Sequence, residues 1–235
     1  YLEATTYSFL SPMQANVPTG YLPDAENEPQ LIHPTPEAHY PKHINVAEQL
    51  VDRNVEEGRE DSVAIYFEEQ EITYGQLQDR VNKAANGFEE LGVEPGDRVM
   101  VRFPNRPEAL ISILAIQKVG AVALPSMKLL RAKELTHILN NAEASTVIVY
   151  DGLLEEVENA LPGLDTIEVD NVVVVQRNGV AHDHVDYDDL NDDAGTQYDA
   201  YQRTSNDLTL LLSTSGTTAQ PKRSLHTYRQ TPAPA

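Results

Sequence analysis

Cysteine is absent from the 235 residues, which excludes disulfides, thiolate metal sites and a cysteine nucleophile together. Long apolar runs are missing too: the longest, such as "ALISILAI" and "LTLLL", fall well short of the roughly 20 residues a membrane span needs. No basic-then-apolar leader opens the chain, so a cytoplasmic protein is expected. The first residue is Tyr1, which leaves a leader upstream of it open. Basic residues are scarce, 17 Lys and Arg against 37 Asp and Glu, for a net charge of -20. Binding to a phosphate backbone needs clustered cations, so no nucleic-acid partner is expected. The acids are spread along the chain rather than gathered in a tail. At about 1 M salt the Debye length falls to roughly 3 Å and screens the self-repulsion of such a surface, which fits an acidic protein of halophilic origin.

What is present is enough apolar residue, 40% of the chain, to build a substantial core. Of the seven histidines, none forms an HExxH pair. His182 and His184, with Asp186, are the nearest approach to a local ligand group. They sit in the acidic stretch "DHVDYDDLNDDAGTQYD", residues 183–199, read as a solvated loop without an apolar face. No metal site is expected.

Residues 1–44 hold seven of the fifteen prolines and no sustained apolar period, the pattern of an extended Pro-rich arm. From residue 45 the texture changes. Asn45 is placed to cap a helix carrying Val46, Leu50, Val51 and Val55, closed by Gly58. "VAIYFEEQEITY" reads as a hairpin, after which Thr73 caps a helix with Leu77, Val81, Ala84, Phe88 and Leu91 on one stripe, ended by Gly92. Short β-branched runs ("DRVMVRF", "AVALP", "STVIVY", "NVVVVQ") then alternate with helical segments ("NRPEALISILAIQKVG", "RAKELTHILNNA", "DGLLEEVENAL"). That alternation predicts an α/β domain over residues 45–235, a mostly parallel sheet covered by helices on both faces.

The last predicted strand, "DLTLLL", runs into "STSGTTAQPK". Ser213, Thr214, Ser215, Gly216, Thr217 and Thr218 put many hydroxyl and backbone N–H donors in a short arc, and Lys222 adds an ammonium group, a combination suited to phosphate oxygens. It is not a Walker A loop, because Pro221 stands where that pattern needs a glycine. The plain alternative is an ordinary Ser/Thr-rich turn.

"LLLSTSGTTAQPK" resembles the phosphate-loop signature of the AMP-forming adenylating enzymes, the superfamily of acyl-CoA synthetases, peptide-synthetase adenylation domains and luciferases. "ITYGQL" is similar to that superfamily's early LTYxEL element and "QKVGAVALP" to its KxGxxxxPL element, in the expected order over about residues 45–227. The resemblance implies the incomplete N-terminal domain of a ligase that activates a carboxylic acid with ATP through an acyl-adenylate and passes it to CoA. It implies phosphate contacts from Thr214, Ser215, Gly216, Thr217, Thr218 and Lys222, and a site-lining role for His226, for which a packed strand residue is the equal alternative. The Mg2+ site, most of the CoA site, the acid pocket and the catalytic residues would lie outside this chain, so the chain alone is expected to be inactive. Ala219 and Arg223 stand where the family carries glycines. "NVAEQLVDRNVEEGREDSVAIYFEEQEITYGQL" looks most like the opening of benzoate- and 2-aminobenzoate-type CoA ligases, with short-chain acyl-CoA synthetases next. Against this stand a non-catalytic nucleotide-binding or interaction fragment, and a gene remnant that does not fold.

Overall fold

A computed structural model describes residues 6–8, 30–32, 43–165, 171–176, 178–192, 194–214 and 222–228. Within the Pro-rich segment, β1 (Thr6–Ser8) pairs antiparallel with β2 (Gln30–Ile32); residues 1–5, 9–29 and 33–42 lie outside the described residues. β3 (His43–Ile44) leads into a helical stretch made of a π-helical turn (Glu48–Asp52) and α1 (Arg53–Glu56). Asn45 caps it as expected, its Oδ1 accepting the N–H of Ala47 at 3.0 Å. Val46 and Val51 are buried, but Leu50 is 44% exposed. The π turn is the reason: it adds a residue to the turn and rotates Leu50 off the stripe that regular helical spacing predicts.

β4 (Val63–Phe67) and β5 (Gln70–Thr73) form the expected hairpin. Thr73 then starts α2 (Tyr74–Glu90) with a complete capping box: Thr73 Oγ1 accepts from Gln76 N, and Gln76 Oε1 from Thr73 N. α2 buries Leu77, Val81, Ala84 and Phe88. Then follow β6 (Arg98–Arg102), α3 (Pro107–Val119), β7 (Val122–Pro125), α4 (Ala132–Ala142), β8 (Thr146–Tyr150), α5 (Leu154–Ala160) and β9 (Val172–Val175). α3 begins with Pro107 in its first turn and ends at Gly120 with φ 87°, the N-terminal proline and C-terminal glycine that helix ends favour.

The acidic stretch departs from expectation. It contains β10 (Val185–Asp186), parallel to β9, and α6 (Tyr187–Asp192), whose Tyr187 is buried. Two features of α2 hold it down. Gly87 has no side chain where Leu190 lies; a Cβ there would sit 2.8 Å from Leu190 Cγ. Asn82 and Asn86 donate side-chain N–H groups to the carbonyls of Thr196, Gly195 and Gln197. The segment is therefore stapled to α2 rather than left in solvent. β11 (Arg203–Thr204) pairs with β3, and β12 (Leu208–Thr214) and β13 (Lys222–Thr227) complete the structure.

Seven strands form one sheet in the order β10-β9-β8-β6-β7-β12-β13, parallel except for the antiparallel edge strand β13. Strand side chains alternate between two cores. Val99, Val101, Ile148, Val173 and Val175 pack under α2 and α3; Met100, Val147, Val149, Val172 and Val174 pack under α4 and α5. Burial on both faces is why these strands read as unbroken apolar runs.

Candidate functional site

The site predicted from sequence follows β12, at the carboxyl end of the parallel strands, the edge at which open α/β sheets bind ligands. β12 is anchored by parallel pairing with β7 and by packing of Leu208 and Leu211 against the α4–α5 face. β12 and β13 then pair from Leu208↔Thr227 to Thr214↔Lys222. That register makes Thr214 and Lys222 direct cross-strand partners and closes the connection 215–221 between them. Directly opposed residues of an antiparallel pair lie about 4.5–5.5 Å apart at Cα. The structure thus brings together two of the residues expected at phosphate, at the base of one turn. Ser215, Gly216, Thr217, Thr218 and Ala219 lie outside the described residues. Arg223 is on β13 opposite Ser213.

His226 is on β13 opposite Leu210, partly buried, with its Nε2 3.1 Å from Ser224 Oγ. It sits two register pairs further along the strand than Ser224 and four residues from Lys222, so it belongs to the strand rather than to the turn. The strand's far end is tied to the body. The Tyr228 ring is fully buried, and its hydroxyl donates to the carbonyl of Gln117 at 3.0 Å.

Gln117 opens the segment "QKVGAVALP", and the structure gives the Gln117 carbonyl and the Lys118 ammonium structural partners. Lys118, 1% exposed, places its ammonium 2.7 Å from the Asp52 carboxylate and 2.5 Å from Asn82 Oδ1. Asp52 also accepts from Gln78 Nε2 at 2.9 Å. Asn45 Nδ2 donates to the carbonyls of Gln117 at 2.8 Å and Tyr201 at 2.9 Å. At Gly120 a Cβ would meet Tyr201 Cδ1 at 2.6 Å. The lysine and glycine of this segment join α3 to the first helical stretch, α2 and Tyr201.

Arg102, at the end of β6, was not singled out by sequence reasoning. Its guanidinium is buried and donates to the carbonyls of Met127 and Leu130, both at 2.8 Å, and thereby shapes the loop that follows β7. Burial lowers its pKa from the usual arginine value, opposed by the charge of Glu156. The only sequence signal was a cation at the end of the apolar strand "RVMVR". A second tie on this side is the pair Arg131–Glu156 at 2.6 Å. The hydrogen bond from Arg131, then that from the Ala132 amide, hold the Glu156 carboxyl below the ordinary glutamate range.

The candidate metal group does not converge. The rings of His182 and His184 stack with centroids 6.1 Å apart. His182 Nε2 faces the Gln176 amide, His184 Nε2 lies 3.3 Å from Glu158, and Asp186 accepts the Asp188 N–H at the start of α6. Among the described residues, no three His, Asp or Glu side chains are placed to hold a metal ion, and no helix is long and apolar enough to cross a membrane.

Comparison with known proteins agrees with this architecture. The acetyl-coenzyme A synthetase of Mycolicibacterium smegmatis is 37% identical over 204 residues, covering 78% of this chain and 22% of that protein. That of Streptomyces avermitilis is 36% identical over 203 residues, covering 78% of this chain and 31% of its own length. The chain therefore spans less than a third of these curated relatives. Among solved structures, the anthranilate CoA ligase AuaEII in complex with anthranoyl-AMP superposes with a TM-score of 0.76 at 27% identity, over 81% of this chain and 36% of that one. A benzoate CoA ligase from Burkholderia xenovorans shares the fold, with a TM-score of 0.67 at 23% identity over 79% of this chain and 35% of that one. The α/β fold is that of the N-terminal domain of adenylate-forming enzymes. The description "AMP-binding enzyme" matches residues 51–233, a span that takes in both the sheet and the β12–β13 turn at its carboxyl edge, and the chain belongs to that AMP-binding family.

Proposed function

We propose that the chain is the N-terminal part of an AMP-forming acid-CoA ligase and that its β12–β13 turn holds the polyphosphate of ATP. The observation that carries this reading is the Thr214↔Lys222 pairing, which closes a donor-rich turn at the carboxyl edge of a parallel sheet. Thr214, Ser215, Gly216, Thr217 and Thr218 supply hydroxyl and amide donors, and Lys222 supplies a compact positive charge. Nucleotidyl transfer from ATP to a carboxylate is accelerated mainly by positioning and by neutralising charge on phosphate oxygens, which is the chemistry such a turn performs. His226 lines the outgoing strand.

The acid is an aromatic or short-chain carboxylic acid, in keeping with the relatives named above, and the acyl group passes from the adenylate to CoA. The described residues hold no convergent acidic set fit for Mg2+, so no step is assigned to a metal on this chain. The acid pocket and the groups that complete adenylation lie beyond it, and the chain by itself binds nucleotide without turning over. The net charge of -20 fits a halophilic cytoplasmic protein with no nucleic-acid partner.

Calorimetric titration of the chain with ATP in high salt tests the reading. Saturable binding is expected, weakened about 10- to 100-fold by Lys222→Ala, the equivalent of losing one charged hydrogen bond of roughly 1.5–3 kcal/mol. Pyrophosphate exchange by the chain alone is expected to be absent. Equal ATP affinity in the two proteins would overturn the assignment of the turn.

A further inference from the structure

β13 is the outer strand of the seven-stranded sheet, paired along one side with β12 and along the other with no described strand. Its sequence, "KRSLHT", carries one aliphatic residue, Leu225, which packs against the α4–α5 core. Hydrophobic alternation fixes a register where several apolar positions share one face; a single leucine specifies little. The pairing also shifts by one residue between Leu208 and Leu210 of β12, so the ladder is irregular at the end remote from the turn.

The residue that follows the strand supplies what the strand lacks. Tyr228 is fully buried and clusters with Ile44 and Val46. Its N–H donates to the Asp207 carbonyl at 3.0 Å, just before β12 begins, and its hydroxyl donates to the Gln117 carbonyl at 3.0 Å, near the end of α3. Asp207 is itself held, its Oδ2 accepting the Thr204 N–H at 3.0 Å and lying 3.2 Å from Arg203 Nε. β3, α3 and the approach to β12 thus meet at one residue. At the other end of β13, Lys222 stands opposite Thr214 at the base of the turn. A slip of two residues, the smallest that keeps each side chain on its own face, would carry Lys222 about 7 Å along β12. A charged N–H···O contact tolerates only roughly 2.7–2.9 Å between heavy atoms, so the anchor at one end of the strand sets what the cation at the other end can reach.

We propose, on the reading of this turn as the polyphosphate site, that Tyr228 is a positioning residue: it fixes the register of β13 on β12 and so places Lys222 opposite Thr214. The chain has no cysteine, so a disulfide introduced by Leu212→Cys with Ser224→Cys, a direct cross-strand pair, is the only one that can form, and it locks the native register. ATP affinity is measured by calorimetry at constant salt for the wild type, Lys222→Ala, Tyr228→Ala and Tyr228→Phe, the two Tyr228 variants with and without the cysteine pair. Per folded molecule, counted by far-UV circular dichroism, Tyr228→Ala should weaken ATP binding at least about tenfold, the scale of one lost charged contact. Oxidation of the cysteine pair should bring the affinity back to that of the cross-linked wild type, and reduction should undo the recovery, which a general loss of stability would not produce. Tyr228→Phe keeps the ring, and the Gln117 carbonyl keeps its bonds from Asn45 Nδ2 at 2.8 Å and the Gly120 N–H at 3.1 Å, so this variant carries the test should Tyr228→Ala fail to fold. It should weaken ATP binding about three- to tenfold, the scale of one neutral hydrogen bond, again recovered by the cross-link. Undiminished affinity in the folded Tyr228 variants beside a weakened Lys222→Ala, or a loss that the cross-link does not recover, would overturn the role of Tyr228. Unchanged affinity in Lys222→Ala would instead overturn the reading of the turn, and this role with it.

Discussion

Replacing Lys118 with Met tests whether the "QKVGAVALP" segment acts through packing. The ammonium is 1% exposed and pairs with an Asp52 carboxylate that is only 13% exposed. Methionine fills a similar volume but withdraws the charge, which leaves Asp52 with the Gln78 amide as its side-chain donor among the described residues and strips the donor from Asn82 Oδ1. Removing one partner of a buried pair costs about 3–5 kcal/mol, because the other charge stays desolvated. For a body of this size each kcal/mol moves Tm by about 2–4 °C, so a fall of roughly 6–20 °C is expected, read by circular dichroism at constant salt. Adding Asp52→Asn removes the stranded carboxylate and should recover a coupling of roughly 1–3 kcal/mol in a double-mutant cycle. ATP affinity per folded molecule should not change. A loss below about 1 kcal/mol for Lys118→Met, or a double variant no more stable than the single, would refute the buried-tie argument.

Two further outcomes follow from other buried groups. Asn45 both caps the first helical stretch and donates to the carbonyls of Gln117 and Tyr201; Asn45→Asp keeps the cap acceptor but loses both donors. Since buried carbonyls left bare cost about 1–3 kcal/mol, Asn45→Asp should lower the urea midpoint at least as far as Asn45→Ala, and a wild-type midpoint would reduce Asn45 to its cap. Burial, followed by the charge of Glu89, pushes the Tyr198 phenol up to about 12, and burial raises Tyr228 further still. Each folded-state value lies above the ordinary tyrosine value near 10, so the stability contributed is complete below pH 10 and is lost as pH rises through the folded values. Phenolate absorbance should show these two residues titrating late, and Tyr228→Phe should flatten the alkaline fall in stability.

Local chemistry was sufficient for much of the fold. The Thr73–Gln76 capping box, the Pro107 and Gly120 ends of α3, and the runs "VALP", "TVIVY" and "VVVV" are decided by backbone geometry and by burial on both faces, and each is written in contiguous residues. So was the likeness to the adenylating enzymes, which rests on three short segments in order. Other features depend on partners distant in sequence. Leu50 turns outward because of a π turn; Tyr187 is buried and Leu190 partly buried because Gly87 leaves room for Leu190 and two asparagines of α2 hold the following backbone. Lys118, at the end of α3, finds Asp52, 66 residues away. Residue types and their spacing determined which segments are helix, which are strand and where a donor-rich turn follows a buried strand. Only the tertiary structure decided which charges are consumed by the core and which remain open to a ligand, because the cost of burying a charge is settled by a partner that the chain brings near in space.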